Sequence, residues 1–371
     1  MLKYLRIKNY KCFDDFVFEP ANRHVTLVIG KNGSGKSTIG EILYTLRSIA
    51  QGDNSIERLV RSEDRYDKSN PEVEFDTTFR LPDGEYRYLV AFAITVDGLM
   101  MRLVHEELQK DGENIFIKNS FGSVRLYDRK DEYFDPVDHC VLPLINHPSP
   151  SSGIEVFKLY LRKILVVKMW PFGIRGETEK DKGELNVSCG NFTTWFLNAI
   201  SECPGVYAKT MGGVRQFIPE LDSLIFTPVG VESKRLVVRM GRGDAERMIP
   251  FVALSDGEKC LLAMAAIKAI NEEIAPVTCF WDEPDNFLSI SEVAAAMAFL
   301  SSAFRQRGQL LVTTHNDEAI LKFPAIDTFV LERESRLASV ASPVRTLKQV
   351  MAEDSIENDL RTSLRLGDID S

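Results

Sequence analysis

The stretch that most restricts the fold of this chain is Val25 to Leu43, VTLVIGKNGSGKSTIGEIL. Within it Gly30, Lys31, Asn32, Gly33, Ser34, Gly35, Lys36 and Ser37 spell G-x-x-x-x-G-K-S, and Thr38 follows. Glycines at these positions let successive backbone N–H groups turn inward around an anion without Cβ clashes. Lys36 would reach the β- and γ-phosphates of a nucleotide as a point charge, and the Ser37 hydroxyl would ligate Mg²⁺. The flanks are those the motif needs. His24 to Ile29 reads as a buried strand, and Ile39, Ile42, Leu43, Leu46 and Ile49 recur at helical spacing. A helix N-terminus would therefore face the phosphates. The competing reading is an ordinary glycine-rich turn.

Length and composition set wide bounds. The 371 residues suffice for one large domain or two modest ones, and 44% hydrophobic with 27% charged residues is a soluble globular composition. No apolar run approaches the roughly 20 residues that span a bilayer, and the start, MLKYLRIKNYKCF, does not read as a signal peptide. Six scattered cysteines without a C-x-x-C pair read as reduced thiols, so a cytoplasmic protein without a membrane partner is expected. A net charge of −9 argues against a surface that coats DNA, though not against a local basic groove.

The next informative stretch is FVALSDGEKCLLAMAAIKAI, residues 251 to 270. Ser255 to Glu258 fits an S-x-x-E capping box before a helix on Leu261, Met264, Ile267 and Ile270. That box does not explain Gly257, since glycine in a first turn weakens a helix by up to ~1 kcal/mol. A group approaching the backbone closely, such as a phosphate, would explain it. Further on, Val277 to Trp281 forms a short apolar run ending in Asp282-Glu283. Such a strand delivers two carboxylates to the carboxyl edge of a parallel sheet, where ligands collect in open α/β folds. Asp282 would hold Mg²⁺, directly or through water, and Glu283 would polarise the attacking water. Another strand, Gln309 to Thr313, leads to His315, 32 residues after Glu283 and far enough for one helical crossover. Trp281 is expected to pack as a core aromatic.

The order of phosphate loop, L-S-D-G-E, carboxylate pair and histidine resembles an ABC-class ATPase. The subtype resembles the RecF/SMC/OLD branch, whose opening strand pair is similar to LRIKNYKCFDDFVFE. The resemblance covers residues 1 to 50 and 235 to 335 well. It implies an α/β ABC-ATPase head with a P-loop core of mixed or parallel sheet, an antiparallel β subdomain and a helical lobe. It also implies ATP and Mg²⁺ as cofactors and a homodimer, or higher homo-oligomer, that sandwiches ATP. Gly33, Lys36, Ser37 and Thr38 would bind in cis, and Ser255 and Gly257, with Asp256 between them, in trans. Asp282 and Glu283 match the Walker B pair, and His315 the switch histidine. Asp285 to Leu288 would be the D-loop at the dimer seam. Lys11 sits where many relatives carry a basic residue near the nucleotide. The family also expects a glutamine after the antiparallel strands. HCVLPLINHPS, residues 139 to 149, is the corresponding region by position and has none; Asn146 is the candidate substitute.

Between the motifs, residues 72 to 130 alternate as strands around Asp83-Gly84, Asp97-Gly98 and Asp111-Gly112, good hairpin turns. From about 151 to 222 the texture is helical, with Ile154, Phe157, Leu161 and Leu165 on one face. Lys158, Arg162, Lys163 and Lys168 form a small basic cluster, read as a solvated helix face ahead of a DNA contact. The expected organisation is one head: a nucleotide lobe with its β meander to 135, a mainly helical part over 136–235, the signature and carboxylate part over 236–335, and a C-terminal tail over 343–371. That tail would form a surface helix on Val350, Met351, Ile356, Leu360 and Leu364 with an acidic end.

Long heptads are missing, and 56 residues after His315 are too few for a Toprim nuclease domain. The expectation is an ATP-clamped regulatory ATPase in bacterial antiphage defence or DNA metabolism, working with a separate protein effector. Two alternatives stay open: an ATP-dependent DNA-binding or repair factor, which keeps nucleic acid as a partner, and a scaffold that binds ATP without hydrolysing it.

Overall fold

In the computed structural model, residues 1–371 are described except 54, 99, 128–130, 136–138, 179–182 and 354–371. Two compact units emerge, Met1–Ile164 with Pro324–Ser371, and Leu165–Phe323.

The first unit opens with the antiparallel pair β1 (Leu2–Tyr10) and β2 (Phe13–Phe18), then β3 (Val25–Gly30) and helix α1 (Lys36–Gln51). A short helix α2 (Ile56–Leu59) precedes the meander β4 (Glu72–Leu81), β5 (Gly84–Ile94), β6 (Met101–Lys110), β7 (Glu113–Lys118), β8 (Ser123–Leu126) and β9 (Asp131–Phe134). The order β2-β1-β4-β5-β6-β7-β8-β9 makes one eight-stranded sheet, so the opening pair extends the meander. The three Asp-Gly turns fall between β4 and β5, β5 and β6, and β6 and β7 as expected. Asp111 at φ 50° and Gly112 at φ 83° have the paired positive φ that a tight hairpin with right-handed twist favours.

Helix α3 (Gly153–Arg162) packs on this sheet through Phe157, whose ring stacks 5.5 Å from that of Tyr86. A polar network lies under the meander. Glu106 is fully buried and accepts hydrogen bonds from Tyr88 Oη at 2.7 Å, Val141 N at 2.6 Å and Leu142 N at 3.0 Å. Burial pushes its carboxyl up, and these donors pull against it.

Leu165 departs from the expected helix face. The helix ends at Arg162, and Leu165–Val167 forms strand β10. Four consecutive apolar residues, Ile164 to Val167, are all buried, and a continuous apolar run suits a strand covered on both sides. The basic cluster also dissolves. Lys158 is only 2% exposed, with Nζ 2.7 Å from Glu155 Oε1 and donating to Ile145 O at 2.6 Å. Arg162 Nε donates to Ala50 O at 2.6 Å, satisfying a carbonyl at the end of α1.

The second unit begins with β10 and continues through α4 (Phe192–Glu202), α5 (Gly205–Val214), and an antiparallel sheet of β11 (Leu221–Val229), β12 (Ser233–Met240) and β13 (Arg247–Pro250). Then come α6 (Asp256–Glu273), β14 (Thr278–Asp282), α7 (Ile290–Ser302), β15 (Gln309–Thr313) and α8 (Asp317–Ile320). β14 lies between β10 and β15, parallel to both. Helix α6 buries side chains around most of its circumference, which places it in the centre of this unit. Trp281 is fully buried, as expected of a core aromatic.

The chain returns to the first unit with β16 (Thr328–Leu331), parallel to β3, then β17 (Arg345–Thr346), antiparallel to β16, and α9 (Leu347–Glu353). Val350 is buried and Met351 exposed on α9. Ile356, Leu360, Leu364 and the acidic end lie outside the described residues.

Candidate active site

The phosphate loop leaves β3 at Gly30 and enters α1 at Lys36. Gly35 occupies the helix N-cap in the left-handed region, φ 94°, and a Cβ there would lie 2.5 Å from Phe13 Cζ and 2.7 Å from Cys12 Sγ. Both its backbone shape and its packing against the β1–β2 turn demand glycine. No side chain caps α1 and no acidic residue occupies its first turn, so no carboxylate competes there for an incoming anion.

Lys36 is buried and its Nζ donates to Gly30 O at 2.7 Å and Lys31 O at 3.2 Å. Ser34 is also buried, and its hydroxyl has no hydrogen-bond partner among the described residues. Arg333, just past β16, donates to Gly33 O at 2.6 Å and braces the loop from outside the motif. Only the folded chain brings Arg333 to a loop 300 residues away. Asn32 is exposed at the loop tip, and Thr38 is buried in the first turn of α1. Lys11, in the β1–β2 turn, places Nζ 2.5 Å from Glu41 Oε2 on α1. The loop, its lysine and its bare helix N-terminus fit a polyphosphate.

The carboxylate pair belongs to the second unit. Asp282 ends β14 and is 5% exposed, with Oδ1 accepting from Thr313 Oγ1 at 2.6 Å. Glu283 holds an unusual φ of 51°, fixed by donation of its N–H to Thr313 O at 3.1 Å and Thr313 Oγ1 at 3.0 Å. A non-glycine residue held there signals a geometry the surroundings enforce. Its carboxylate receives Asn286 Nδ2 at 2.8 Å on Oε2, and His315 Nδ1 lies 3.3 Å from Oε1. The side chain of His315 is 57% exposed, so the pair opens to solvent. Thr314 Oγ1 donates to Asp285 Oδ2 at 2.8 Å, and burial pushes the Asp285 carboxyl up against that bond. The last residue of β15 and the one after it thus supply consecutive hydroxyls to Asp282 and Asp285, and His315 follows.

The signature segment shows the capping box at α6. Ser255 Oγ accepts from Glu258 N at 3.3 Å and donates to Glu258 Oε2 at 2.8 Å. Asp256 lies 3.7 Å from Lys259 Nζ. The group that crowds Gly257 is internal: a Cβ there would stand 2.9 Å from Phe287 O, in the segment Asp285 to Leu288. Close backbone approach explains this glycine without a ligand.

Residues 139 to 149 form the turn-rich link into α3, held by Glu106, and Asn146 is exposed there. The strand paired directly with β14 on the side away from β15 is β10, and the residue leaving it beside Asp282 is Lys168. Its Nζ lies 3.0 Å from Asp282 Oδ2. Sequence spacing grouped Lys168 with a helix face because it could not register β10 against β14. The Asp282 carboxylate and the Thr313 hydroxyl are oxygen donors of the kind a hard cation takes, and Lys168 lies on one of the carboxylate oxygens. Among the described residues no three His, Cys, Asp or Glu side chains cluster as a metal site. Mg²⁺ bound mainly through phosphates, one carboxylate and one hydroxyl needs no such cluster.

No curated protein matches the chain. Among solved structures, the Smc head bound to the C-winged helix domain of ScpA is 16% identical with a TM-score of 0.55, covering 94% of this chain and 99% of that one. The Smc head domain with an extended coiled coil, bound to the C-terminal domain of ScpA derived from Pyrococcus furiosus, is 16% identical with a TM-score of 0.51, covering 97% and 99%. Those likenesses show the fold, an SMC-type ATPase head. The longest described helix here, α6, has 18 residues, and among the described residues no helix is long and apolar enough to cross a membrane. The model of the RecF/RecN/SMC N-terminal domain matches residues 1–335, and the chain belongs to that family.

Proposed function

We propose that this chain binds and hydrolyses ATP as a dimer in which each copy completes the other's site. The observation that carries the reading is the arrangement at Glu283: a strained backbone, Asn286 and His315 on its two oxygens, and buried Asp282 one residue before it. Lys36 would exchange its loop carbonyls for phosphate oxygens, a charge-assisted contact stronger than the neutral acceptors it leaves. Ser37 and Asp282 would hold Mg²⁺, which would supply neutralisation of charge on the β- and γ-phosphates. Glu283 would orient water and accept its proton, while His315, exposed beside it, would hold the carboxylate in place.

Ser255 of one copy would complete the other copy's site by redirecting its hydroxyl from Glu258 to the γ-phosphate. That exchange makes nucleotide state a condition of dimer contact. The solved heads above are bound to ScpA domains, which supports a separate protein partner here. Family likeness favours a regulatory task in antiphage defence or DNA metabolism.

Sedimentation of Glu283→Gln tests the clamp. With saturating Mg-ATP this variant should sediment as a dimer, and without nucleotide as the parental chain does. A monomer under both conditions would remove the shared site from the mechanism.

A further inference from the structure

Strand β10 runs parallel to β14 with Leu165 against Cys279, Val166 against Phe280 and Val167 against Trp281. One step further, Lys168 and Asp282 leave the ladder side by side, Nζ 3.0 Å from Oδ2. The two ends of this pair differ. The Asp282 side chain is 4% exposed, whereas the Lys168 side chain is 64% exposed and reaches the carboxylate from the solvent side. The backbone is fixed: Lys168 N donates to Val187 O at 2.8 Å and Trp170 N to Ser188 O at 3.0 Å. The flexible stem can rotate the ammonium away from Asp282 without moving that backbone.

A buried carboxylate without a counter-charge is costly, and in the metal-free protein Lys168 supplies that charge. A glutamine at this position could lend an oxygen to a metal. A lysine ammonium has three donors and no acceptor, so it cannot ligate a cation and repels one instead. Lysine is suited to a removable role, being a compact point charge on a mobile stem with none of arginine's bidentate hold.

We propose that Lys168 is a positioning residue, a tethered counter-cation that keeps Asp282 poised with Thr313 and must be displaced before a divalent ion takes Oδ2. It thereby sets the divalent-ion concentration at which the site loads. This inference rests on the reading of Asp282 as a metal ligand, and one experiment separates the two. Mn²⁺ is titrated into the full chain carrying an equimolar non-hydrolysable ATP analogue, and the free ion is followed by its paramagnetic resonance signal. Lys168→Met, which keeps the stem but has neither the charge nor an oxygen to lend a metal, should bind Mn²⁺ about fivefold more tightly than the parental chain, the weight of an ion pair with one solvated partner. Lys168→Arg, which keeps the charge, should bind within about twofold of it. Unchanged or weaker binding by Lys168→Met overturns the competition, as does equal tightening by Lys168→Arg. If Asp282→Asn binds Mn²⁺ like the parental chain, the assignment of Asp282 fails, and the inference with it.

Discussion

Replacing Glu283 with glutamine separates chemistry from structure at this site. The substitution keeps side-chain volume, and glutamine meets the φ of 51° held at Glu283 with much the same strain as glutamate, so the backbone has no reason to change. The carboxylate has acceptors for both Asn286 Nδ2 at 2.8 Å and His315 Nδ1 at 3.3 Å, whereas an amide has one acceptor oxygen. At most one hydrogen bond is lost, worth about 0.5–1.5 kcal/mol. If Glu283 accepts the proton of the attacking water, turnover falls by ~10²–10⁴-fold, or about 3–5.5 kcal/mol of barrier. The catalytic effect should therefore be at least about twice the structural one. Steady-state phosphate release at saturating Mg-ATP gives the first quantity, and denaturant unfolding the second. Asn286→Ala is the control: it removes the hydrogen bond but leaves the carboxylate, and should lower turnover by no more than about tenfold. Parental turnover in Glu283→Gln, or an equal loss in Asn286→Ala, would refute the role given to the carboxylate.

Three further outcomes follow from the same geometry. Lys36→Ala should weaken nucleotide binding by about 10²-fold, one strong charge-assisted contact, measured with a fluorescent nucleotide. Gly35→Ala should destabilise the chain by about 3 kcal/mol, combining left-handed strain with overpacking against Phe13 and Cys12, visible in denaturant unfolding. Glu155→Gln should cost about 2 kcal/mol at neutral pH, because it leaves the buried Lys158 ammonium without its partner. Burial works against the Glu155 charge, but Lys158 and the His147 N–H outweigh it and hold the carboxyl below its usual value of 4.5. A depressed folded value means the contribution is complete above the unfolded value and fades as pH falls through the folded one. Unfolding curves should therefore show the Glu155→Gln deficit shrinking in acid below about pH 4.5.

Much of the architecture was legible in residue order because its signals are local. A glycine loop between an apolar run and a 3.6-residue periodicity can only join strand to helix. The Asp-Gly pairs mark where the meander folds back, because such pairs tolerate the left-handed backbone that tight turns need. The S-x-x-E box fixed where α6 starts. Strand β9 and the joining of β1–β2 to the meander lay beyond such signals, because pairing between strands distant in sequence leaves no mark on either one alone.

The carboxylate site shows the same division. Asp282, Glu283 and His315 were named from spacing, yet spacing says nothing of φ at Glu283, of Asn286 on its second oxygen, or of consecutive threonines on Asp282 and Asp285. In sequence Gly257 signals only that something approaches the backbone closely, and in the fold that group is Phe287 O. Lys158 and Lys168 looked alike as members of one basic run. Burial made the first a fixed ion pair beneath a helix, and strand register set the second against Asp282. Sequence by itself determined which chemical groups this protein owns and which short elements carry them, because propensity, capping and turn geometry act over a few residues. Tertiary structure alone decided which of those groups face one another, because charge pairing and desolvation depend on distances that only the packed chain defines.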